Sequence, residues 1–265
     1  MGNCYSNSHE LDNHTSKHAS ARTEEQMRAL ALKVEICAPG IISATHAQLA
    51  GADRIELCQS LEVGGLTPSA GSIAFCLEKL GIRTHVLIRP RPGNFCYSPE
   101  EIDVIFRDIK YCKSLGASAA VIGFLRHDGT VDQDLTAKAV EMAYPMEVTF
   151  HRAFDECTDW PSQLETIIHC GCHRLLTSGH CESAYLGKEN LGLIQRLAAG
   201  RIKILAGCGI TPENVGAIIS ESGVDEVHGS CKAIQPNGLP ETDLSIAQSF
   251  VSEARKSFSL YSNAK

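Results

Sequence analysis

The sequence predicts one TIM-type (β/α)8 barrel behind a disordered N-terminal extension. Three observations carry this. Short β-rich runs alternate with helical patterns from Lys33 onward, and eight such runs can be marked. Prolines stand at helix starts (Pro99, Pro161 and Pro212) and glycines at helix ends (Gly51, Gly81, Gly116, Gly171, Gly200 and Gly223), as first-turn and C-terminal preferences require. Strands alternating with helices imply a parallel sheet, and eight units point to closure. An open doubly wound sheet is the other arrangement such alternation allows.

In order, the strand runs are Lys33–Cys37, Arg54–Cys58, His85–Arg89, Ala119–Leu125, Glu147–Arg152, Arg174–Gly179, Lys203–Gly209 and Glu226–Cys231. Between them the spacing predicts helices over Ile41–Ala50, Ser69–Leu80, Pro99–Leu115, Leu135–Ala143, Trp160–Cys170, Leu191–Ala199 and Pro212–Ser222. A final helix is expected over about Glu241–Lys256. The barrel domain is assigned to residues 31–265 and the polar extension to residues 1–30.

Composition narrows the function classes. The chain has 265 residues, 43% hydrophobic and 21% charged, which is ordinary globular usage. A net charge of −7 without a basic stripe argues against nucleic-acid binding. No apolar run approaches the roughly 20 residues of a membrane span, and the N-terminus has no apolar secretory core. The chain carries 12 cysteines, mostly within patterned strands and helices, and reduced cytoplasmic thiols are expected. His169, Cys170, Cys172 and His173 stand too close together to surround one ion. The chain begins Met-Gly-Asn-Cys-Tyr-Ser, which matches a myristoylation pattern at Gly2 with Cys4 as a neighbouring palmitoyl site. Two acyl chains would tether the protein to a membrane; the alternative is a chance match in a polar tail.

Strand side chains alternate faces, so parity sorts them. Glu35 and Cys37 share one face of the first strand, opposite Val34 and Ile36. Arg54, Glu56 and Cys58 oppose Ile55 and Leu57; Glu147, Thr149 and His151 oppose Val148 and Phe150; Glu226, His228 and Ser230 oppose Val227. The outer wall must be apolar to meet the helices, so the polar set points inward. Residues near strand ends face the mouth, where barrel sites lie. These are Cys37, Cys58, Arg89, His151, Ser178, Gly207 and His228, with Glu35 and Glu56 one layer below. Glu147 and Glu226 fall near the barrel bottom, in structural ion pairs.

Three chemistries follow. Cys37 and Cys58 end consecutive strands about 4.8 Å apart, so their sulfurs can converge. Two thiolates suit Cu(I), with His151 or His228 as a third ligand; the plainer reading is two buried thiols. Second, Gly207 and Gly209 after the seventh strand, with Ser230 after the eighth, form a candidate phosphate cradle, or merely permit tight turns. Third, Arg89 and Arg91 can hold an anion. His151 can act on protons, with Asp155 to orient it or simply to pair with Arg152.

Gly51-Ala-Asp-Arg-Ile-Glu-Leu-Cys58, Gly64-Gly-Leu-Thr-Pro-Ser69, Ile88-Arg-Pro-Arg91, Val148-Thr-Phe-His-Arg-Ala-Phe-Asp155, Leu176-Thr-Ser-Gly179 and Gly207–Asn214 together resemble the copper homeostasis protein CutC family. The likeness runs from about Lys33 to Lys232. It implies a TIM-type barrel, a cytoplasmic homo-oligomer and Cu(I) binding, with Cys37 and Cys58 as metal ligands. Where the family usually has three glycines this chain has Gly207-Cys208-Gly209, and Cys231 replaces a small residue. A copper carrier does not need Glu56, Arg89, Arg91, His151 or a glycine cradle. The alternative is therefore an enzyme on a small anionic or phosphorylated metabolite, with Glu56 and His151 trading protons.

Overall fold

The structure is a computed structural model that describes residues 32–235, 238 and 240–264. The expected disordered tail, and acylation at Gly2 and Cys4, lie outside the described residues.

Eight parallel strands close into a barrel in sequence order. They are β1 (Lys33–Ala38), β2 (Arg54–Leu57), β3 (Arg83–Leu87), β4 (Ala119–Ile122), β5 (Glu147–Phe150), β6 (Arg174–Thr177), β7 (Lys203–Ala206) and β8 (Glu226–Gly229). The helices are α1 (Ile41–Leu49), α2 (Ala70–Lys79), α3 (Pro99–Ser114), α4 (Gln133–Ala143), α5 (Trp160–His169), α6 (Lys188–Ala198), α7 (Val215–Ser222) and α8 (Leu244–Asn263). Closure runs through β8 and β1, where Glu35 faces His228 in register. On the other side of β1, Cys37 faces Glu56 of β2.

The wall divides the apolar side chains into two groups. Val34, Ile36, Ile55, Leu57, Val86, Ile122, Val148, Phe150, Leu175, Ile204 and Val227 join the large core between wall and helices. Cys37, Cys58, Leu87 and Val121 form a separate small cluster. That separation fixes the parity: the two thiols share the barrel interior.

Below that cluster the interior is charged. Arg54 donates to Glu35 and to Glu226, and Arg174 donates to Glu226. Arg174 also reaches Glu147 at 3.2 Å. Buried charges are costly unless paired and hydrogen-bonded, and here each guanidinium meets carboxylates from other strands. The ion-pair roles expected of Glu147 and Glu226 are present.

Local chemistry sets most helix starts. Ser98 and Glu101 form a capping box around Pro99 at the start of α3, and Asp132 caps α4 through Leu135 N. Several boundaries move. Residues 232–234 and 240–242 pair as an antiparallel hairpin, β9 (Lys232–Ile234) and β10 (Pro240–Thr242). The final helix therefore starts at Leu244, where the Asp243 carboxylate accepts from Ser245 N and Ile246 N. It runs on to Asn263 because Ala254 and Phe258 continue its buried face. Pro212 precedes α7 in a turn, and Asn214 is the cap residue. Gly81 lacks the left-handed conformation of the other helix-ending glycines, because Leu80 before it is already extended.

Replacing Arg54 with methionine would leave Glu35 and Glu226 without their shared cation. Urea unfolding followed by circular dichroism should show a loss of about 3–5 kcal/mol, the usual cost of breaking a buried pair. A loss below about 1 kcal/mol would mean that the network does not hold the barrel floor.

Candidate functional site

Register and parity gather one polar sector where β8, β1 and β2 meet. Cys37 and Cys58 are buried with their Sγ atoms 3.6 Å apart. That is far beyond a disulfide bond of about 2.05 Å. Ligand atoms of Cys37, Glu56 and His228 lie within 4.8 Å of one another, so these three could share one ion. His228 Nδ1 is 2.7 Å from Glu35 Oε1, and its Nε2 lies 3.8 Å from Glu56 Oε2. Glu35 therefore orients the ring and aims Nε2 toward Glu56 and Cys37.

The protonation pattern follows from this packing. Burial alone would raise the Glu35 carboxyl, but the Arg54 charge, the hydrogen bond from His228 and the approach of His85 Nδ1 at 3.2 Å hold it well below the usual range. Burial would lower His228, yet its hydrogen bonds with Cys37 and Glu35 and the charge of Glu56 hold it well above its ordinary value. Burial, aided by the charge of Glu35, raises Glu56 despite the pull of His228. The hydrogen bond with Cys58 and then burial push the Cys37 thiol well up. At neutral pH the sector holds a Glu35 carboxylate, a His228 imidazolium and a Cys37 thiol.

This sector opens into a cavity of about 1410 Å³ at the barrel mouth, lined among others by Cys37, Glu56, Arg89, His151 and His228. Cys58 lies just behind Cys37, within the small apolar cluster. Across the barrel, His151 of the loop after β5 is buried, and its Nδ1 accepts from Ala153 N at 3.1 Å. The ring proton thus belongs to Nε2. Burial, reinforced by the Arg89 charge, lowers His151 to about 3, so the ring is neutral.

Several expected partnerships are corrected. The sequence pairs Glu56 with His151, but β8 closes on β1, so the imidazole beside Glu56 is His228, while His151 follows β5 on the far side. Asp155 does not orient His151. The short 3-10 turn Arg152–Glu156 carries its carboxylate to Thr177 Oγ1, Ser178 N, Ser178 Oγ and Arg152 Nε, which clamps the loop after β6. Arg91 is not free for an anion, because it pairs with Glu101 and donates to the carbonyls of Pro92, Asn94 and Cys96. At Gly207 a Cβ would lie 2.5 Å from Leu176 Cδ1 and 3.4 Å from His228 Cβ. Its lack of a side chain makes room for Leu176, while His228 would only be in ordinary contact. Gly209 and Ser230 do line the cavity. Parity alone exposes Glu35 and His228 as inward residues, but only the closure register shows that they touch.

The chain matches the sequence model of the CutC family over residues 32–233. A CutC family protein of Porphyromonas gingivalis is 41% identical over 210 residues, covering 79% of this chain and 85% of that protein. A CutC family protein of Bacteroides thetaiotaomicron is 44% identical over 199 residues, covering 75% and 80%. The solved structure of a CutC protein of Streptococcus agalactiae, named for copper homeostasis, superposes with a TM-score of 0.71 at 32% identity, covering 75% of this chain and 98% of that one.

His151 carries a pH signature. Its folded value of about 3 lies below the ordinary imidazole value. As pH falls from about 6.5, the unfolded chain takes a proton that the folded chain refuses, so stability is lost. Unfolding free energies measured between mildly acidic and neutral pH should fall on acidification more steeply in the wild type than in His151→Asn. The expected difference is up to about 1.4 kcal/mol per pH unit. Parallel pH profiles would contradict the buried neutral ring.

Proposed function

Because this chain belongs to the CutC family, we propose that it binds copper as Cu(I) in copper homeostasis, through Cys37, Cys58 and His228. The observation that carries this reading is the pair of buried thiols 3.6 Å apart beside His228. Thiolates sharing one ion at metal–sulfur bonds of about 2.3 Å stand at most about 4.6 Å apart, so the pair fits. Two sulfurs and an imidazole are soft and borderline donors that suit Cu(I), whereas the Glu56 carboxylate is a hard donor. Glu56 and Glu35 instead receive and orient His228, as outer partners of metal-binding imidazoles do.

Cu(I) would enter through the cavity, and its binding would displace protons from the Cys37 thiol and the His228 imidazolium. A reducing cytoplasm, which keeps such thiols free, suits the reading. The described cysteines are all unpaired, and no described helix is long and apolar enough to cross a membrane. A homo-oligomer is part of the proposal through the family resemblance alone. The enzymatic alternative draws less from the geometry. Glu56 is engaged with His228, and neutral His151 offers a donor at Nε2, not a base.

Competitive Cu(I) titration of reduced protein should show one site per chain. Cys37→Ser and Cys58→Ser should each weaken it on the order of 100-fold, and Cys208→Ser should leave it unchanged. Affinity should fall with pH by up to about tenfold per unit for each proton displaced. Unchanged stoichiometry and affinity in the Cys37→Ser, Cys58→Ser double variant would end the proposal.

A further inference from the structure

The two cations of the barrel floor, Arg54 and Arg174, both meet carboxylates. Arg89, higher in the barrel, does not. It is only 7% exposed, yet no described carboxylate lies within ion-pair distance of it. Its Nη1 donates to the carbonyls of Val63 and Gly65, and its Nη2 to the carbonyl of Gly93 at 2.7 Å. Carbonyl oxygens satisfy those N–H groups but leave the positive charge uncancelled, and a buried charge without a counter-ion is costly. Its Nε–H is buried and makes no hydrogen bond within 3.5 Å, as is true of the hydroxyl of neighbouring Tyr97.

A second idle donor belongs to the same group. His151 is 5% exposed, and its Nε2, which carries the ring proton, is buried without a partner. Both side chains pack on Phe95: the Arg89 Cζ lies 4.9 Å from that ring's centroid and the His151 ring 4.8 Å. Both line the same cavity. Their seats are built by missing side chains. A Cβ on Gly123 would fall 2.3 Å from His151 Cε1, and one on Gly64 would fall 2.9 Å from Arg89 Nη1. Gly64 and Gly123 are therefore positioning residues that hold the two donors in place.

We infer that the cavity binds a small organic carboxylate whose oxygens take hydrogen bonds from Arg89 Nε–H and His151 Nε2–H. One uncancelled charge and two single N–H donors match a monoanion with two oxygens. A phosphate dianion brings more charge and more lone pairs than the pair can satisfy. The rest of the ligand lies against Leu61, Leu87 and Leu176, which also line the cavity. Its two donors are not among the proposed metal ligands and it needs no metal, but its apolar wall is shared, since Leu87 and Leu61 also pack with Cys37 and Cys58. The low pKa of His151 accords with it, because a neutral ring keeps Nε2–H as a fixed donor while Arg89 alone supplies the charge.

The test uses full-length, reduced, metal-free protein labelled with 15N-histidine and titrated with acetate, acetamide and inorganic phosphate. The wild type should show the His151 Nε2 resonance of a neutral ring, shifting saturably with acetate at millimolar concentrations. Acetamide, equal in shape but uncharged, and phosphate should each bind at least tenfold more weakly. His151→Phe, which keeps a ring against Phe95, and Arg89→Lys, which keeps the charge without the Nε–H, should each weaken acetate at least tenfold, read by the rise in melting temperature. A His151 Nε2 resonance that ignores acetate would overturn the inference. So would phosphate or acetamide binding as tightly as acetate. The wild-type spectrum decides the matter even where a variant folds poorly, and metal-free conditions separate its failure from failure of copper binding.

Discussion

The guanidinium of Arg54 spans the barrel floor between Glu35 of β1 and Glu226 of β8, and the chemistry above depends on that bridge. With Arg54 beside it, Glu35 remains a carboxylate despite full burial. A carboxylate at Glu35 holds His228 by its Nδ1 at 2.7 Å. A ring held by Nδ1 points Nε2 to Cys37 and Glu56. The Arg54–Glu35 and Glu35–His228 steps pass between neighbouring strands and His228 then reaches across to β1 and β2, so closure of the sheet at β8 and β1 is what links the ion pairs to the thiols.

The interior is consequently divided. Around β8, β1 and β2 the charges are compensated and the sulfurs are grouped; on the β3 and β5 side a guanidinium and an imidazole keep unspent donors. The first half suits a soft cation that must displace protons to bind. The second suits an anion that needs no protonation change, since Arg89 is permanently charged and His151 stays neutral. A single cavity of about 1410 Å³ serves both halves.

Much of this was legible in the sequence. Alternation along β1, β2, β5 and β8 shows which side chains turn inward, because the outer wall must meet apolar helices. The convergence of Cys37 and Cys58 follows from that parity and from their place at consecutive strand ends. Choices of partner were not legible. Asp155 stands four residues after His151, yet the 3-10 turn between them rotates its carboxylate to Thr177 and Ser178. Arg91 looks like Arg89 in sequence, but Glu101 of the capping box at α3 captures it. The β9–β10 hairpin gave no signal because its six residues lack an apolar alternation, and β9 is largely exposed. Nothing in residue order alone says that Glu35 and His228, 193 positions apart, share a hydrogen bond.

The metal is proposed to sit between two sulfurs and one imidazole nitrogen. X-ray absorption at the copper edge of reduced protein loaded with one equivalent of Cu(I) tests it directly. Two sulfurs at about 2.3 Å and one imidazole nitrogen are the expected ligands. A shell of oxygens and nitrogens without sulfur, or one unchanged when Cys37 and Cys58 are both serine, would contradict it.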